Sequence, residues 1–405
     1  MSNNNNIKDI ASSCTRCGAC KVFCPSKCIQ YTFNEADGHY RISVESEKCT
    51  QCGICKRICP VSNKATGEEY ENFFKNGKEA FATYSKNEDI RTAAASGGFI
   101  TTFLCYLLKE GIIDGALVSR RKGICGESFI ARSVEEIISA KTSIYAPVNY
   151  YKGIEELRKS DCERIVVVGL PCHIQAISNI RKINKKINNK ILLTISIVCG
   201  KTPSTNAYRY IAQKNRINYD SITNVSNRGG GWPGFMTIKH GAGEFKVPYR
   251  SKMSMGMVLS SPLLCGNGCN ACVDGYGIGS DISVCDAWLA KYTSQDSSGW
   301  NLILAQTEQA KELIKDNRIT KYLHIENESL ENFYKANRRV IEKYLLNNIF
   351  LPKEHRLELQ KRPNIKQKLY SSILNILHTI IEKTKGKTIN TPLIYIGKII
   401  NKLKD

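Results

Sequence analysis

Eight cysteines near the start of the chain constrain its fold more strongly than any other feature of the sequence. They form two runs, at residues 14–25 and 49–60, and each run has the spacing Cys-x2-Cys-x2-Cys-x3-Cys-Pro. Three thiolates on one short loop can bind the same inorganic centre, and a glycine after the second cysteine lets the backbone approach it closely. This repeated spacing favours two metal-containing centres over disulfide bonds or zinc sites.

The spacing resembles that of bacterial ferredoxins with two [4Fe–4S] clusters, in which the fourth cysteine of each run ligates the other cluster. We therefore predict that one cluster is held by Cys14, Cys17, Cys20 and Cys59. The other is predicted to be held by Cys24, Cys49, Cys52 and Cys55. Cys28 lies outside the pattern, and we expect it to be a small buried side chain.

The rest of the chain alternates between strand and helix patterns. Its 405 residues are enough for two or three domains, and a hydrophobic content of 42% is ordinary for a globular protein. Apolar runs predict strands at residues 112–118, 164–169, 191–198, 281–284 and 302–305. Helical patterns lie between them, at residues 99–110, 134–140, 154–159 and 174–187. This alternation predicts an α/β domain with a mainly parallel or mixed sheet, whose functional groups lie beyond the carboxyl ends of its strands.

We expect four regions along the chain. They are a two-cluster ferredoxin-like domain at residues 1–65, a connector at 66–90, the α/β domain at 91–310 and a basic helical region at 311–405. No apolar run is long enough to span a bilayer, and the Asn-rich N-terminus lacks the apolar core of a signal peptide. Together with the metal-ligand spacing of the cysteines, these features predict a cytoplasmic protein.

Six short segments follow the cysteine-rich region, at residues 95–102, 169–174, 198–204, 269–272, 280–288 and 299–302. In this order they resemble the beta subunits of coenzyme F420 hydrogenase and dehydrogenase, over roughly residues 80–310. The resemblance implies an FAD-binding oxidoreductase domain. In such a domain the flavin exchanges hydride with a deazaflavin or another acceptor, and iron–sulfur clusters carry single electrons.

Two segments have the chemistry of flavin contacts. Ser96, Gly97 and Gly98 precede a helix whose N-terminal amides suit a phosphate or a flavin edge, although the same residues suit a plain helix cap. Asn227 and Arg228 adjoin three glycines and a tryptophan, so they can grip the flavin ring or its pyrophosphate. The alternative for this second segment is a surface hairpin loop.

The family resemblance adds Asp281, Ser283 and Asp286, because relatives place this segment beside the flavin. The alternative is a strand whose acidic side chains cap neighbouring loops. Cys285 departs from the family, whose members usually have glycine at this position. A thiol here changes the approach of the backbone to the flavin, or it supplies an extra sulfur near the ring.

Four further cysteines are candidates for a third [4Fe–4S] cluster, which the resemblance implies for this domain. Cys172 and Cys199 each follow a predicted strand, and Cys269 and Cys272 form a Cys-x2-Cys pair. Cys265 is the reserve ligand. Two alternatives stay open: buried free thiols, or a zinc site made by Cys265, Cys269 and Cys272 with His173 or Cys199.

His173 is the catalytic candidate, since it directly follows Cys172. A histidine beside a cofactor can donate a proton to reduced flavin or to substrate. A loop histidine whose hydrogen bonds are satisfied within the protein is the more common case, and it is the favoured alternative.

The formal net charge is +21, which can attract acidic partners, anionic lipid or nucleic acid. The sequence has no recognition-helix pattern and no aromatic platform, so we do not expect nucleic-acid binding. Residues 369–381 carry apolar side chains at helical spacing between lysines. Such a helix fits an anionic membrane surface, or it packs on the protein body or a partner subunit; we favour the second. A homo-oligomer is left open.

These features together predict an iron–sulfur flavoprotein oxidoreductase. Electrons from reduced ferredoxin or reduced coenzyme F420 would pass through the clusters to FAD, which reduces a small organic acceptor, or flow in reverse. The first alternative is an electron-relay subunit of a larger complex without its own substrate site. A role in a polysaccharide pathway is a further alternative, although the sequence has no sugar-binding signature.

Overall fold

The computed structural model describes residues 5–63, 69, 73, 77–241, 243–251, 264–294, 297–337 and 340. A cysteine-rich module of short elements precedes a domain built on a nine-stranded mixed sheet with helices on its faces. The predicted fold class, a ferredoxin-like module followed by an α/β domain with a mixed sheet, is therefore confirmed.

The cysteine-rich module has two similar halves. Its regular elements are α1 (Ala19–Phe23), β1 (Ile29–Asn34), β2 (His39–Val44) and α2 (Ile54–Ile58). Each helix follows a glycine in the left-handed region, with φ of +73° at Gly18 and +74° at Gly53. A side chain at Gly18 would also collide with the neighbouring domain, because a Cβ atom there would lie 2.4 Å from Tyr151 Cβ. The repeat in the sequence is thus a repeat of the backbone.

The main domain contains two sheets. Its strands, in chain order, are β3 (Glu79–Ser85), β4 (Gly115–Lys122), β5 (Cys125–Ala131), β6 (Val148–Asn149), β7 (Ile165–Gly169), β8 (Ile191–Ile197), β9 (Ile222–Ser226), β10 (Phe235–His240), β11 (Gly243–Pro248), β12 (Ile282–Asp286), β13 (Asn301–Ala305) and β14 (Leu323–Glu328). The large sheet has the order β14-β3-β13-β12-β8-β7-β4-β5-β6, and β11-β10-β9 form a separate antiparallel sheet. Strands β4, β7, β8 and β12 run parallel, so their carboxyl ends share one edge.

Helices cover both faces of the large sheet. They are α3 (Glu88–Ala93), α4 (Phe99–Lys109), α5 (Val134–Ser139), α6 (Tyr150–Lys159), α7 (Pro171–Ile183), α8 (Lys185–Lys190), α9 (Asn206–Lys214), α10 (Asn267–Asn270), α11 (Ala290–Thr293), α12 (Glu308–Ile314) and α13 (Leu330–Ala336). Val166 and Val168 of β7 pack in the core beside α4, whereas Ile165 and Val167 pack in the core beside α6 and α7. Burial on both faces explains why β7 is a continuous apolar run rather than an alternating one.

Two strands of the large sheet lie outside the predicted limits of the α/β domain. Strand β3 falls within the expected connector, and β14 falls within the region expected to be helical. Strand β14 is the sheet edge, where it pairs with β3, and its His, Glu and Asn residues hide the strand pattern. Strand β3 has the sequence Glu-Ala-Phe-Ala-Thr-Tyr-Ser, without the uninterrupted run of Val and Ile that marks β7.

The cysteine-rich module is fixed to the main domain by hydrogen bonds from α6 and from the start of α9. Arg158 Nη1 donates to Val22 O over 2.8 Å, and Asn206 Nδ2 donates to Ala36 O over 2.9 Å. Among the described residues, no helix is long and apolar enough to cross a bilayer. The predicted amphipathic helix at residues 369–381 lies outside the described part of the chain.

Candidate functional site

The structure brings together each set of four cysteines that the spacing predicts. Cys14, Cys17, Cys20 and Cys59 line one pocket, together with Ile7, Ile10, Thr15, Gly18 and Ile42. The fourth ligand comes from the other run, as the ferredoxin pattern requires. Isoleucine side chains form part of its wall, and Cys17 and Cys20 are buried whereas Cys14 and Cys59 are partly exposed.

The second set lines another pocket, which reaches the surface at Cys52. Cys24, Cys49, Cys52 and Cys55 all contribute to its wall, and Cys52 is exposed to solvent. Cys28 lines the same cavity, with its Sγ atom 3.4 Å from Cys24 Sγ. Cys28 is buried as expected, but its neighbours include a predicted ligand sulfur as well as apolar groups.

The donor sets fit iron–sulfur clusters chemically. Burial, followed by the charges of Cys17, Cys14 and Cys59, raises the pKa of the Cys20 thiol well above its ordinary value. Four thiols that line one cavity cannot all ionise without a cationic partner, and bound iron would supply one. Among the described residues, no three His, Cys, Asp or Glu side chains are arranged to hold one metal ion.

A third set of cysteines gathers beyond the carboxyl ends of β7 and β8. Burial raises the pKa of Cys172 well above its ordinary value, and the charges of Cys272, Cys199 and Cys269 raise it further. Cys199 is tied to the loop that follows Cys272, because its amide donates to Gly275 O over 2.8 Å. The four predicted ligands of the third set thus come from loops at the same edge of the sheet, and their binding of a cluster stays a prediction. The backbone of Cys265, the reserve ligand, forms a β-bridge with Pro203.

The third set adjoins the inner cavity of the cysteine-rich module. Helix α10, which carries Cys269, packs directly on Cys14, because a Cβ atom at Gly268 would lie 2.3 Å from Cys14 O. The charge of Cys269 contributes to the raised pKa of Cys14, after burial and the charge of Cys59. The three cysteine sets thus follow one another from the exposed Cys52 to the interior of the main domain.

His173 lies in the first turn of α7, and its side chain is used within the protein. Its Nδ1 accepts a hydrogen bond from Leu170 N over 3.3 Å, and its ring stacks on Tyr150 with centroids 3.8 Å apart. Burial lowers the pKa of His173 to about 3, so the ring is neutral near pH 7. This environment favours the alternative of a satisfied structural histidine over a proton donor.

Arg228 is the centre of the candidate flavin site. The side chain is 1% exposed, and its Nη1 lies 3.0 Å from Asp286 Oδ2. Burial alone would lower the pKa of Arg228, but the charges of Asp286, Tyr145 and Tyr249 outweigh it, so the guanidinium stays charged. Within the described residues, Arg228 Nη2 has no hydrogen-bond partner. A buried cation with an unused donor fits an anionic or carbonyl-bearing ligand.

Asn227 holds this arginine loop in place. Its Oδ1 accepts hydrogen bonds from Tyr145 N over 3.1 Å and from the side chain of Arg121, and its Nδ2 donates to Tyr208 OH over 2.8 Å. The side chain is fully buried. Asn227 therefore fixes the position of the loop that carries Arg228. Its full burial does not fit the alternative of a surface hairpin loop, and its contact with flavin stays a prediction.

The segment of Ser96, Gly97 and Gly98 uses part of its hydrogen-bonding capacity within the protein. Ser96 Oγ donates to Trp300 O, and the first amide of α4 donates to Asn301 Oδ1 over 3.1 Å. Gly97 packs against Asn301, where a Cβ atom would lie 2.8 Å from the backbone nitrogen. The helix-cap alternative thus describes this segment well, and its contact with flavin stays a prediction.

Asp281 and Ser283 lie near the amino end of β12, away from Asp286 at its carboxyl end. Asp281 accepts hydrogen bonds from Thr194 N over 2.7 Å and from Thr307 Oγ1 over 3.1 Å. Ser283 Oγ donates to Tyr276 O over 2.6 Å. The structure brings Asp286 to Arg228 but leaves Asp281 and Ser283 at the opposite edge of the sheet, where they link strands and loops.

The structure adds aromatic side chains to this site, of which the sequence analysis had connected only Trp232 with the flavin. The rings of Trp232 and Trp288 lie 4.4 Å apart by their centroids, and the Tyr249 ring lies 4.4 Å from the Arg228 guanidinium. Cys285 faces away from them, accepting a hydrogen bond from Asn337 Nδ2 over 2.9 Å within a separate apolar cluster. The aromatic residues come from three separate loops, so their spacing along the chain could not reveal them.

Comparisons with known proteins support the same division of the chain. The model of the coenzyme F420 hydrogenase/dehydrogenase beta subunit N-terminus matches residues 80–155, and that of its C-terminus matches residues 162–331. The chain belongs to this beta-subunit family. A 4Fe–4S dicluster domain model matches residues 13–63, ahead of the family domains. Family and dicluster domain together assign the chain an iron–sulfur electron-transfer role among oxidoreductases.

Individual relatives are distant. The chain is 23% identical over 245 residues to coenzyme F420 hydrogenase subunit beta of Methanothermobacter thermautotrophicus, covering 59% of this chain and 80% of the relative. It is 26% identical over 173 residues to the coenzyme F420-dependent sulfite reductase of Methanocaldococcus jannaschii, covering 42% of this chain and only 25% of the reductase. A chain in the xenon-derivatised F420-reducing [NiFe] hydrogenase complex of Methanosarcina barkeri shares the fold, with a TM-score of 0.53 and 19% sequence identity. The match covers 70% of this chain and 96% of that one.

Proposed function

We propose that this chain is an iron–sulfur flavoprotein oxidoreductase. It transfers electrons between a low-potential donor, reduced ferredoxin or reduced coenzyme F420, and a bound FAD that reduces a small organic acceptor. Flow in the reverse direction uses the same sites. The whole activity of the relatives is not implied, because the chain spans only part of some of them.

The observation that carries this proposal is the succession of three cysteine sets. The outer set includes the exposed Cys52, the inner set includes Cys14, and Cys14 adjoins the loop with Cys269. Thiolate-bound iron–sulfur clusters exchange single electrons, and a flavin exchanges single electrons or hydride. Cysteines arranged in this order suit a path between the protein surface and the sheet edge at Asp286.

The residues around Arg228 would bind the flavin and shield it from water. Arg228 would hold a negatively polarised group of the flavin through Nη2, while Asp286 keeps the guanidinium charged and oriented. Trp232 and Trp288 offer aromatic faces that exclude water from a planar ring. Asn227 fixes the loop from behind through Tyr208. His173 is neutral and buried, so proton transfer at the flavin is not its role in this proposal.

Anaerobic purification followed by iron, sulfide and flavin quantitation tests the cofactor content. About twelve irons and one FAD per chain are expected for three clusters and one flavin. About eight irons would remove the third cluster, and a protein without flavin would refute the flavoprotein proposal. Turnover is then measured with reduced coenzyme F420 or reduced ferredoxin as donor, and it should depend on added FAD.

The second candidate function is an electron-relay subunit of a larger complex. It is favoured by the relatives, one of which is a hydrogenase subunit and another part of a hydrogenase complex. The two candidates differ in what the isolated chain does. A relay subunit exchanges electrons with artificial carriers but reduces no small acceptor by itself, whereas the enzyme shows flavin-dependent turnover alone.

A further inference from the structure

Arg16 distinguishes two cluster loops that otherwise share one backbone conformation. The loops read Cys14-Thr-Arg16-Cys17 and Cys49-Thr-Gln51-Cys52. Both central residues have a left-handed backbone, with φ of +66° at Arg16 and +54° at Gln51. The same position in the two halves therefore carries a cation in the inner loop and a neutral amide in the outer loop.

The guanidinium of Arg16 is partly buried against the loop that carries Cys265 and Cys269. A Cβ atom at Gly266 would lie 1.8 Å from Nη2 and 2.2 Å from Nη1, so the group packs directly on the Gly266 backbone. Gly266 lies between Cys265 and Cys269. The absence of a side chain at this glycine is what leaves room for the arginine.

The backbone around Arg16 is held in two further places. Its amide donates to Cys14 Sγ over 3.3 Å, and Tyr31 OH donates to its carbonyl oxygen over 2.8 Å. Arg16 thus lies between two cysteines of the inner set in the chain, and its backbone is hydrogen-bonded to the sulfur of one of them.

The electrostatic consequence follows from the permanence of the charge. An arginine side chain stays protonated at any working pH, and a half-enclosed charge is less screened than one in bulk water. Gln51, at the matching position, is neutral and exposed. A fixed positive charge favours the more negative, reduced form of a nearby redox group.

We propose that Arg16 raises the reduction potential of the centre held by Cys14, Cys17, Cys20 and Cys59 above that of the outer centre, and so directs electrons inward. One electron leaves the outer centre and enters the inner one, without bond or proton transfer. The inference rests on the proposed function, since it requires clusters at both sets. Arg16 would thus set the direction of electron transfer between two centres whose cysteine spacings are identical.

The test is a redox titration of the anaerobically purified full-length chain, followed by electron paramagnetic resonance. Arg16→Gln should lower the higher of the two N-terminal potentials, changing the electron distribution between the centres about tenfold, or about 59 mV for one electron. Arg16→Lys keeps the charge and should retain most of the wild-type potential. Gln51→Arg, the matched variant, should raise only the lower potential.

Three results would overturn the proposal. They are unchanged potentials in Arg16→Gln, equal shifts in Arg16→Gln and Arg16→Lys, and a rise of the higher potential in Gln51→Arg. If Arg16→Gln fails to retain iron, the Gln51→Arg titration still decides, because it leaves Arg16 intact. Wild-type protein without cluster signals would instead refute the proposed function, whereas normal clusters with unshifted potentials refute the role of Arg16 alone.

Discussion

Replacing Asp286 with asparagine would expose how much the buried Arg228 depends on its carboxylate partner. Asparagine keeps an oxygen acceptor but removes the negative charge 3.0 Å from Nη1. Breaking a buried ion pair by removing one partner costs about 3–5 kcal/mol. Asp286 is 20% exposed and the Tyr145 hydroxyl still contacts the guanidinium, so we expect a smaller loss, about 2–3 kcal/mol.

The loss is measured as a fall in the midpoint of thermal unfolding. For a domain of about 150–250 residues, 1 kcal/mol shifts the midpoint by about 2–4 °C, so Asp286→Asn should lower it by about 4–12 °C. Anaerobic calorimetry on samples with equal iron and flavin content is required, because bound cofactors stabilise the folded state themselves.

A matched substitution at the surface provides the control. Asp161 pairs with Arg132, and its side chain is 84% exposed. Solvent screens such an exposed pair, so Asp161→Asn should shift the midpoint far less than Asp286→Asn. Adding Arg228→Gln to Asp286→Asn should recover part of the loss, because it removes the unpaired charge. Equal shifts in Asp286→Asn and Asp161→Asn would refute the reasoning.

Three further outcomes are expected. Cys172→Ser should remove about four irons per chain and spare the N-terminal clusters, as measured by iron and sulfide quantitation; loss of all iron would contradict a separate third site. Gly18→Ala should cost more stability and iron than Gly123→Ala in calorimetry and iron assays. Both glycines are left-handed, but a Cβ atom at Gly18 meets Tyr151 at 2.4 Å whereas Gly123 faces open space, and equal losses would contradict the clash. Burial alone would raise the pKa of Glu328, but hydrogen bonds from Tyr292 and Asn332 hold it at about 2, below the ordinary 4.5. The ionised Glu328 therefore stabilises the fold fully above pH 4.5, and this contribution is lost as the pH falls towards 2. In Glu328→Gln, the free energy of unfolding measured in urea should depend less on pH over this range. An unchanged dependence on pH would refute the assignment.

The central strands and helices could be predicted because their signals are local. Strand β7 is an uninterrupted apolar run, and α4 begins after glycine residues at the predicted position. Strand β14 escaped prediction because an edge strand needs few apolar residues, and its Leu323–Glu328 segment has alternating acids instead. A local sequence pattern identifies a strand or helix when burial dictates its composition. It fails for a strand that is stabilised mainly by pairing with a neighbouring strand.

The sequence by itself determined which cysteines belong together in the N-terminal module, because ligands on one short loop are constrained by covalent spacing. Tertiary structure alone decided that Arg228 pairs with Asp286, that Asn301 caps α4, and that Arg16 packs on Gly266. These contacts join residues far apart in the chain, and they form only once the sheet and its loops have folded. Ion pairs and hydrogen bonds between such distant residues depend on tertiary packing, which the spacing of residues in a short motif does not specify.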